Sequence, residues 1–469
     1  MSQPIDTGVQ LYNTLTKTKE ALHVAPGAPV RIYVCGPTVY GRVHIGNARP
    51  FVVFSVLTRA LRRRRLEVRF VSNLTDINDK IYDAARAEGI PSGELAERYS
   101  NAYIEDTNRL GLGRPDAEPK VTDTLPEIVA LIEELIAQDL AYAAHGDVYF
   151  RVTHFAPYGE LSGRNLDELI SGEGGVGKEH PLDFALWKAN KPGEDTSWPS
   201  PWGPGRPGWH IECSAMAEAL LGRNFEIHGG GIDLIFPHHE NEIAQSEGAN
   251  EEPLAQIWMH NEMLELGGEK MAKSVGNIAR LGDVLDEWDR EVVVAYFLTS
   301  HYRSKLPFDD ARLNDARTVC ERIGNCLRAL RRALAAPGGS EAPELAAALT
   351  TAETDFDAAL ADDLNTPAAI AAIQVLVRVV NGALDGDARP SAERLTETHT
   401  LLVGLLDTLG LASLDAGDEI PAEVVALAKE RQAARDGRDF ARADALRDEI
   451  AAHGFTLRDG PDGPELVPA

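Results

Sequence analysis

Cysteine is the residue type that this chain has least of. Only four cysteines occur among 469 residues, at positions 35, 213, 320 and 326, and none forms a C-x-x-C pair. This usage excludes the disulfide framework on which small secreted proteins depend, and it is typical of a reducing compartment.

Positive charge and long apolar runs are also scarce. The chain has 46 basic and 73 acidic side chains, a net charge of −27, so any nucleic acid must meet a local basic patch rather than a general positive field. The N-terminus has no basic region followed by an apolar run, and we expect no stretch long and apolar enough to span a bilayer. These absences predict a soluble cytoplasmic protein without a membrane partner. The length of 469 residues is enough for two to four domains.

Metal-binding residue types are concentrated between Trp209 and Glu242, from W-H-I-E-C-S to H-G-G-G-I-D-L-I-F-P-H-H-E-N-E. Pro237 suits the first turn of a helix, and a helix that begins there places His238 and Glu242 on one face, within reach of one ion. Cys213 adds a thiolate, and such a mixed set suits zinc better than magnesium or calcium. The alternative is a buried histidine, a capped helix and a core cysteine, and this stretch alone does not decide.

A strand, a glycine-bearing turn and a helix open the chain. Residues 30–34 form a short apolar run that ends in Cys35-Gly36-Pro37, and the spacing of apolar residues predicts a helix over 51–61. This order is typical of a parallel α/β sheet, whose ligands lie beyond the carboxyl ends of the strands. Cys35 lies at that end and is the candidate for the fourth zinc ligand, with a small buried hydrophobe as the alternative.

Two short motifs indicate a nucleotide. H-I-G-N, from His44 to Asn47, precedes the helix, where a phosphate meets a helix N-terminus, and Gly46 lets a base or ribose approach the backbone. K-M-A-K-S places Lys270 and Lys273 in a glycine-flanked loop, where ammonium groups can stabilise a departing pyrophosphate. An ordinary exposed loop is the alternative for the lysines.

Together these segments resemble those of a known enzyme class. H-I-G-N with K-M-A-K-S resembles the paired nucleotide motifs of class I aminoacyl-tRNA synthetases. Y-V-C-G-P-T-V-Y, N-L-T-D-I-N-D-K, R-P-G-W-H-I-E-C-S-A-M and F-P-H-H-E-N-E-I-A-Q-S are similar to segments of the cysteinyl-tRNA synthetases, and the similarity runs from about residue 11 to about residue 459. The resemblance implies one zinc ion per subunit, held by Cys35, Cys213, His238 and Glu242.

The resemblance also implies an architecture and a reaction. It implies a Rossmann-type parallel-sheet α/β catalytic domain over 1–305 with an insertion at about 113–207, a helical bundle over 306–412 and a small anticodon-binding domain over 420–469. The implied enzyme forms cysteinyl adenylate from L-cysteine and ATP with Mg²⁺. It then transfers the cysteinyl group to the 3′-terminal adenosine of the cysteine tRNA, and we expect it to act as a monomer.

Roles for single residues follow from the same resemblance. The catalytic residues around the α-phosphate are His44, Asn47, Lys270 and Lys273. Gly46, Gly230 and Asp233 complete the ATP site, with Asp233 bonded to a ribose hydroxyl and Gly229 to Gly231 lying against the adenosine. Thr75, Trp209 and His228 match positions that line the cysteine pocket.

Zinc would explain how the enzyme refuses serine. A pocket shaped for cysteine rejects a hydroxyl isostere by only about 10², whereas a soft metal binds a thiolate far better than a hydroxyl. No editing domain is then needed, and the insertion at about 113–207 is too short to hold a large one.

Two positions depart from the family pattern, because Asn47 replaces a histidine and Ala272 replaces a serine. We expect altered nucleotide affinity rather than lost activity.

Two alternatives follow: a mycothiol-pathway ligase that joins cysteine to an amino sugar, and a catalytically silent tRNA-binding paralogue. The C-terminal segment argues against the first, and the retained lysines and zinc ligands argue against the second.

Helical periodicity begins near residue 308. One apolar stripe runs through Val319, Ile323, Cys326, Leu330 and Leu334, so Cys320 and Cys326 are expected in the core rather than at a metal. Further helices are predicted over 341–361, 367–384 and 391–409, which completes a four-helix bundle.

Arginine recurs along the helical sequence of residues 422–469. An arginine cluster in so acidic a chain favours RNA binding, although a solvated helix face is the alternative. By resemblance Arg435, Asp444 and Asp459 read the anticodon, and Phe440 offers a stacking face for a base.

Overall fold

The computed structural model describes residues 3–165, 177–250, 252–266, 269–270, 279–415, 422–453, 455–460 and 463–468. The chain forms two compact units, Met1–Leu411 and Ala412–Ala469.

A parallel sheet organises the first unit. Its strands are β3 (Val30–Val34), β4 (Val68–Ser72), β9 (Phe225–Gly231) and β10 (Ala255–Asn261), in the order β10-β9-β3-β4. The strands are almost wholly buried, as expected for a parallel sheet whose two faces are covered. The predicted parallel α/β fold is therefore confirmed.

The chain changes direction across the sheet between β3 and β9. From β3 it passes through α1 (Ile45–Arg63) to β4 on one side, and it later returns to place β9 and then β10 on the other side. The carboxyl ends of β3 and β9 therefore flank the switch point at which doubly wound sheets bind ligands.

The other elements of this unit lie before, within and after that sheet. They are β1 (Ile5–Asn13), β2 (Thr18–Val24), α2 (Asp79–Glu88), α3 (Ser92–Asn108), α4 (Leu125–Ala137), β5 (Ala141–Ala144), β6 (Asp147–Phe150), β7 (Phe184–Ala189), β8 (Gly205–Pro207), α5 (Trp209–Leu221), α6 (Glu240–Asn250), β11 (Leu264–Leu266), β12 (Glu269–Lys270), α7 (Leu281–Glu287), α8 (Arg290–Leu298) and β13 (Leu306–Phe308). Strands β5 to β8 form an antiparallel sheet in the region of the predicted insertion.

Ion pairs hold the loop before β8 in place. Arg206 contacts Asp79 at the start of α2, and its Nη2 lies 3.0 Å from Glu194 Oε1. The Asp195 carboxylate accepts a hydrogen bond from the Ser92 N–H at 2.8 Å. The described part of the loop is thus tied to α2 and α3.

Four helices follow: α9 (Asp310–Ala335), α10 (Pro343–Ala361), α11 (Thr366–Asp385) and α12 (Ala392–Thr408). They agree with the predicted helices to within a few residues at each end. Cys320 and Cys326 are buried on α9, which confirms their predicted place in the core. Val319 and Leu334 are only half-buried, so the apolar stripe lies slightly to one side of its predicted position.

One sequence expectation is corrected by α11. This helix is long and apolar enough, by length and composition, to cross a membrane, whereas no such stretch was expected. The apolar residues of α11 form part of the protein core instead. Ile370, Ile373, Leu376 and Val380 are buried, and α11 packs against α9 and α10.

The second unit contains two helices and a hairpin. They are α13 (Ala422–Asp436), α14 (Phe440–Ala452), β14 (Phe455–Gly460) and β15 (Gly463–Pro468), and the two strands pair in antiparallel register. Its core includes Val424, Ala443, Leu446 and Ile450.

Candidate active site and metal centre

The site is built where β3 and β9 end. Cys35 follows β3 directly, and its N–H donates a hydrogen bond to the Gly229 carbonyl of β9 at 3.1 Å. The Gly36 N–H donates to Asn73 Oδ1, beyond β4, at 2.9 Å. Three strand ends therefore fix the turn that carries the Cys35 thiol.

The four predicted zinc ligands come together at this point. Ligand atoms of Cys35, Cys213, His238 and Glu242 all lie within 4.8 Å of one another, and all four residues are buried. Cys35 Sγ is 3.3 Å from Glu242 Oε1, and His238 Nε2 is 3.1 Å from the same oxygen. Residues separated by about two hundred positions in sequence thus form one cluster.

The helix that carries Glu242 is preceded by a kink at Phe236. The regular hydrogen bonding of α6 starts at Glu240, but within Ile235–His239 only Phe236 has non-helical angles, φ −137° and ψ 131°, so the backbone is helical from Pro237 onward. The predicted helix start at Pro237 therefore agrees with the backbone, and His238 and Glu242 meet as an i,i+4 pair.

A second group of donors shares two residues with the first. Atoms of Cys35, His228, His239 and Glu242 also lie within 4.8 Å of one another. His228 Nε2 lies 2.8 Å from Glu242 Oε2, and His239 Nδ1 lies 2.7 Å from His260 Nε2. No role was predicted for His239 or His260 from the sequence, although the H-H dipeptide was a visible signal.

Electrostatics in the cluster favour a bound cation. Burial raises the pKa of the Cys35 thiol well above its usual value, and burial lowers the pKa of His238 to about 3. Burial also acts to raise the pKa of Glu242, but the imidazoles of His228 and His238 lower it overall. A buried thiol of raised pKa becomes a thiolate only beside a cation, so two cysteines, a neutral imidazole and a carboxylate match the ligands of a soft metal.

The predicted cysteine-pocket residues lie around this cluster. The Trp209 ring stacks on His238 with centroids 4.3 Å apart, and buried Thr75 pairs through its backbone with Pro37 and Val39. His228 is fully buried and stacks on Trp258 at 4.3 Å. A cavity of about 750 Å³, lined in part by Thr38 and Trp209, lies beside the cluster.

The H-I-G-N turn contacts the segment that follows the K-M-A-K-S motif. His44 is the residue before α1, and its N–H donates to Asn47 Oδ1 at 3.3 Å. Residues 43–45 run antiparallel to residues 279–281, with the Ile45 N–H bonded to the Ala279 carbonyl at 2.9 Å. Lys270 ends β12, and its side chain, Ala272 and Lys273 lie outside the described residues.

The glycine run has a packing reason that the sequence did not reveal. A Cβ atom on Gly229 would lie 2.1 Å from the Phe54 ring of α1, and one on Gly230 would lie 2.9 Å from Leu234 and 3.0 Å from His239. Asp233 follows the run on an exposed 3₁₀ turn. Glycine at 229 and 230 therefore lets α1 and the histidine cluster approach β9.

Four further predicted residues lie in the second unit. Phe440 begins α14 and is 62% exposed, which is unusual for an aromatic residue. Arg435 lies near the end of α13 and is exposed, and Asp444 lies 3.4 Å from Arg447. Asp459 lies in β14, and its side chain is outside the described residues.

Three family descriptions match successive parts of the chain. Residues 22–318 match the tRNA synthetases class I (C) catalytic domain, residues 355–413 match the DALR domain, and residues 417–464 match the cysteinyl-tRNA ligase anticodon binding domain. Together these matches extend over most of the chain.

Full-length relatives and solved structures are also similar. The cysteine–tRNA ligase of Carboxydothermus hydrogenoformans is 43% identical over 463 residues, covering 97% of this chain and 99% of that protein. The cysteine–tRNA ligase of Symbiobacterium thermophilum is 46% identical over 467 residues, covering 97% and 98%. Methionyl-tRNA synthetase of Mycobacterium tuberculosis, solved with methionyl-adenylate, shares the fold with a TM-score of 0.61 at 17% identity, over 82% of this chain and 90% of that one. The chain therefore belongs to the cysteine–tRNA ligase family of class I tRNA synthetases.

Proposed function

We propose that this chain joins L-cysteine to the cysteine tRNA at the site between β3 and β9. Cysteine and ATP form cysteinyl adenylate and pyrophosphate, and the cysteinyl group then passes to the 3′-terminal adenosine. The observation that carries the proposal is the buried cluster of Cys35, Cys213, His238 and Glu242 at the switch point of the sheet. A soft metal there selects a thiol-bearing substrate, which is the substrate of the relatives.

Zinc is the metal that these donors fit best. The cluster offers two thiols, one imidazole and one carboxylate, all buried, and these donors would hold zinc and leave a substrate thiolate to bind as a further ligand. When bound, zinc supplies a soft Lewis acid that prefers a thiolate to a hydroxyl. Trp209 and Thr75 would close the pocket around the cysteine side chain, while His228 holds Glu242 through its 2.8 Å contact.

Adenylation depends on positioning and charge rather than on side-chain acid–base chemistry. His44 and the N-terminus of the 19-residue helix α1 would face the phosphates of ATP and its Mg²⁺. Asn47 uses Oδ1 to accept from the His44 backbone, and its amide N–H groups remain suitable donors to a phosphate oxygen. Gly46 keeps the approach to the helix open, and Gly230 and Asp233 would lie near the adenosine and its ribose.

Lys270 and Lys273 would stabilise the pyrophosphate as it leaves. Support comes from the two ends of their loop, since β12 precedes it and Ala279 follows it beside Ile45. From Lys273 the chain has six residues in which to reach Ala279, a span of at most about 20 Å. Ala279, the first described residue after the loop, therefore lies beside H-I-G-N.

Transfer requires room for the end of the tRNA beside the adenylate. The cavity of about 750 Å³ is several times larger than a cysteine, and Lys80, Lys188 and Lys191 are among its lining residues. We assign recognition of the anticodon to residues 420–469, with Phe440 as a stacking face and Arg435, Asp444 and Asp459 as polar contacts. The catalytic domain over 1–305 and the bundle over 306–412 would complete a cytoplasmic monomer.

Neither alternative is favoured. An amino-sugar ligase does not need to recognise an anticodon, whereas residues 417–464 match an anticodon-binding domain. A silent paralogue would not need the metal ligands, all four of which are present and clustered.

Charging of total tRNA by the purified protein tests the proposal. Incorporation of cysteine into the cysteine tRNA, refusal of serine, and one zinc per chain on the same sample are the expected results. Cysteine-dependent exchange of pyrophosphate into ATP without charging would indicate the amino-sugar ligase instead. Absence of both activities in zinc-loaded protein would refute the proposed function.

A further inference from the structure

A buried arginine links two parts of the nucleotide site. Arg49 lies on α1, two residues after Asn47, and is 1% exposed. Its guanidinium donates four hydrogen bonds to backbone carbonyls: Nη1 to Glu262 at 2.7 Å and Met263 at 3.1 Å, and Nη2 to His301 at 3.2 Å and Ser304 at 2.6 Å. Burial lowers the pKa of Arg49 to about 10, so the group stays charged at neutral pH.

The four carbonyls belong to two segments that lead into the sheet of β11, β12 and β13. Glu262 and Met263 connect β10 to β11, and β11 pairs with β12, which ends at Lys270. His301 and Ser304 precede β13, which pairs with the other edge of β11, Leu264 opposite Leu306. Both segments that lead into this three-stranded sheet are thus bonded to one side chain.

The other end of the link is the phosphate-facing turn. Arg49 is in the second turn of α1, and an α-helix is rigid over so short a distance. A shift of the guanidinium relative to the β11–β12 hairpin is therefore a shift of His44 and Asn47 relative to the strand that ends at Lys270. The contact between residues 43–45 and 279–281 joins the far end of the loop after that strand to the same turn.

We propose that Arg49 is a positioning residue for adenylation, which sets the distance between the H-I-G-N turn and the β11–β12 hairpin that ends at Lys270. This inference rests on the proposed function, because it assigns both elements to one α-phosphate transition state. Misplacement of reacting groups by about 1 Å can cost 10²-fold in rate. A residue that aligns two phosphate-binding elements and is bonded to neither Trp209 nor Thr75 therefore affects the rate of adenylation and leaves cysteine binding unchanged.

Lysine cannot replace arginine in this role. The guanidinium is a planar fork with five N–H donors, whereas an ammonium is a compact, strongly hydrated point charge. At position 49 a lysine retains the charge but does not reach carbonyls on two separate segments with the same geometry. Arg49→Lys therefore isolates the geometric contribution, and Arg49→Gln removes the charge as well.

Arg31 is the matched control. It donates to the Leu221 carbonyl at 2.9 Å and the Asn224 carbonyl at 2.8 Å, and its Nε donates to Glu226 at 3.0 Å. It therefore joins backbone segments as Arg49 does. Arg31 lies near the start of β3, away from the strand end that carries Cys35.

The test compares wild type, Arg49→Lys, Arg49→Gln and Arg31→Lys, each loaded with zinc. The rate of cysteine-dependent ATP–pyrophosphate exchange is measured per active site, with sites counted by the burst of adenylate formation. Cysteine dissociation constant, zinc content and melting temperature are measured on the same samples.

We expect Arg49→Lys to lower the exchange rate per site at least about tenfold and Arg49→Gln to lower it further. Cysteine affinity and zinc content stay at the wild-type values, and Arg31→Lys keeps the wild-type rate per site.

Each other outcome decides against the inference. A wild-type rate per site in Arg49→Lys, at whatever melting temperature, would make Arg49 a purely structural residue. Arg49 would also be a purely structural residue if both of its variants failed to fold while Arg31→Lys folded. The same holds if Arg31→Lys lost as much of the exchange rate per site as the Arg49 variants. Absence of exchange in the wild type would instead refute the proposed function, which separates the two failures.

Discussion

Replacement of Cys213 by serine separates the two metal sites that the buried donors allow. Cys213 belongs to the group with Cys35, His238 and Glu242 but not to the group with His228 and His239. A serine hydroxyl is a poor zinc ligand at neutral pH, because the metal binds sulfur as the thiolate. We therefore expect Cys213→Ser to lose zinc and cysteine affinity together.

The size of the effect follows from the site. Loss of a partner that only supports a ligand weakens metal binding about 10–100-fold, so loss of a ligand costs at least about 100-fold. At a zinc concentration 100 times the wild-type Kd, occupancy falls from about 99% to about 50% or less. Metal-linked stability falls under the same conditions from about 2.7 to about 0.4 kcal/mol.

The fold itself loses little in this variant. Cys213 Sγ lies 3.7 Å from Asn73 Oδ1, so a serine hydroxyl has an acceptor at hand. The residual cost of burying that hydroxyl is about 1 kcal/mol. Loss of zinc therefore reports on the ligand rather than on a general collapse of the site.

Metal analysis after dialysis against a fixed zinc buffer, with cysteine titration on the same protein, measures both quantities. Cys326→Ser is the control, since Cys326 is a buried cysteine on α9 and its loss should leave zinc unchanged. His239→Gln tests the competing group and should also keep the metal. Full zinc in Cys213→Ser together with loss of zinc in His239→Gln would refute the ligand set.

Three further predictions concern the other parts of the reaction. Lys273→Ala should reduce pyrophosphate exchange well over tenfold with unchanged cysteine binding, because its ammonium stabilises the leaving group; a normal exchange rate would contradict this. Trp209→Ala should weaken cysteine binding about tenfold or more, since its ring covers His238 at 4.3 Å, and an unchanged Kd in calorimetry would count against the pocket as drawn. Deletion of residues 412–469 should spare exchange but reduce tRNA charging, and equal charging by the shortened chain would remove the anticodon assignment.

The zinc cluster shows how far sequence patterns lead. His238 and Glu242 were recognisable because four-residue spacing places ligands together even across the irregular turn before α6. Cys213 and Cys35 followed from the scarcity of cysteine and from the place of Cys35 at a strand end. Pro237 marked the start of the helical backbone, since Phe236 before it is extended.

Other features depend on neighbours that are distant in sequence. Gly229 and Gly230 were assigned to adenosine, but their closest constraints are Phe54, Leu234 and His239, which only packing brings near. His239 and His260 meet because their elements, the turn before α6 and β10, converge under the site. The apolar composition of α11 resembles a membrane span, and only its packing in the bundle shows that the apolar face is a core.

By itself the sequence determined the class of fold, the two nucleotide motifs and the four residues nominated to hold zinc, because each depends on local spacing or on rare residue types. Only the tertiary structure shows which donors form the second possible metal-binding group. It alone also shows that Arg49 bonds the H-I-G-N turn to the lysine-bearing hairpin. The physical reason is that hydrogen bonds from one guanidinium to four backbone carbonyls produce no recognisable pattern in the amino-acid sequence. Backbone carbonyls are present at every position, and only the folded chain selects the four that Arg49 meets.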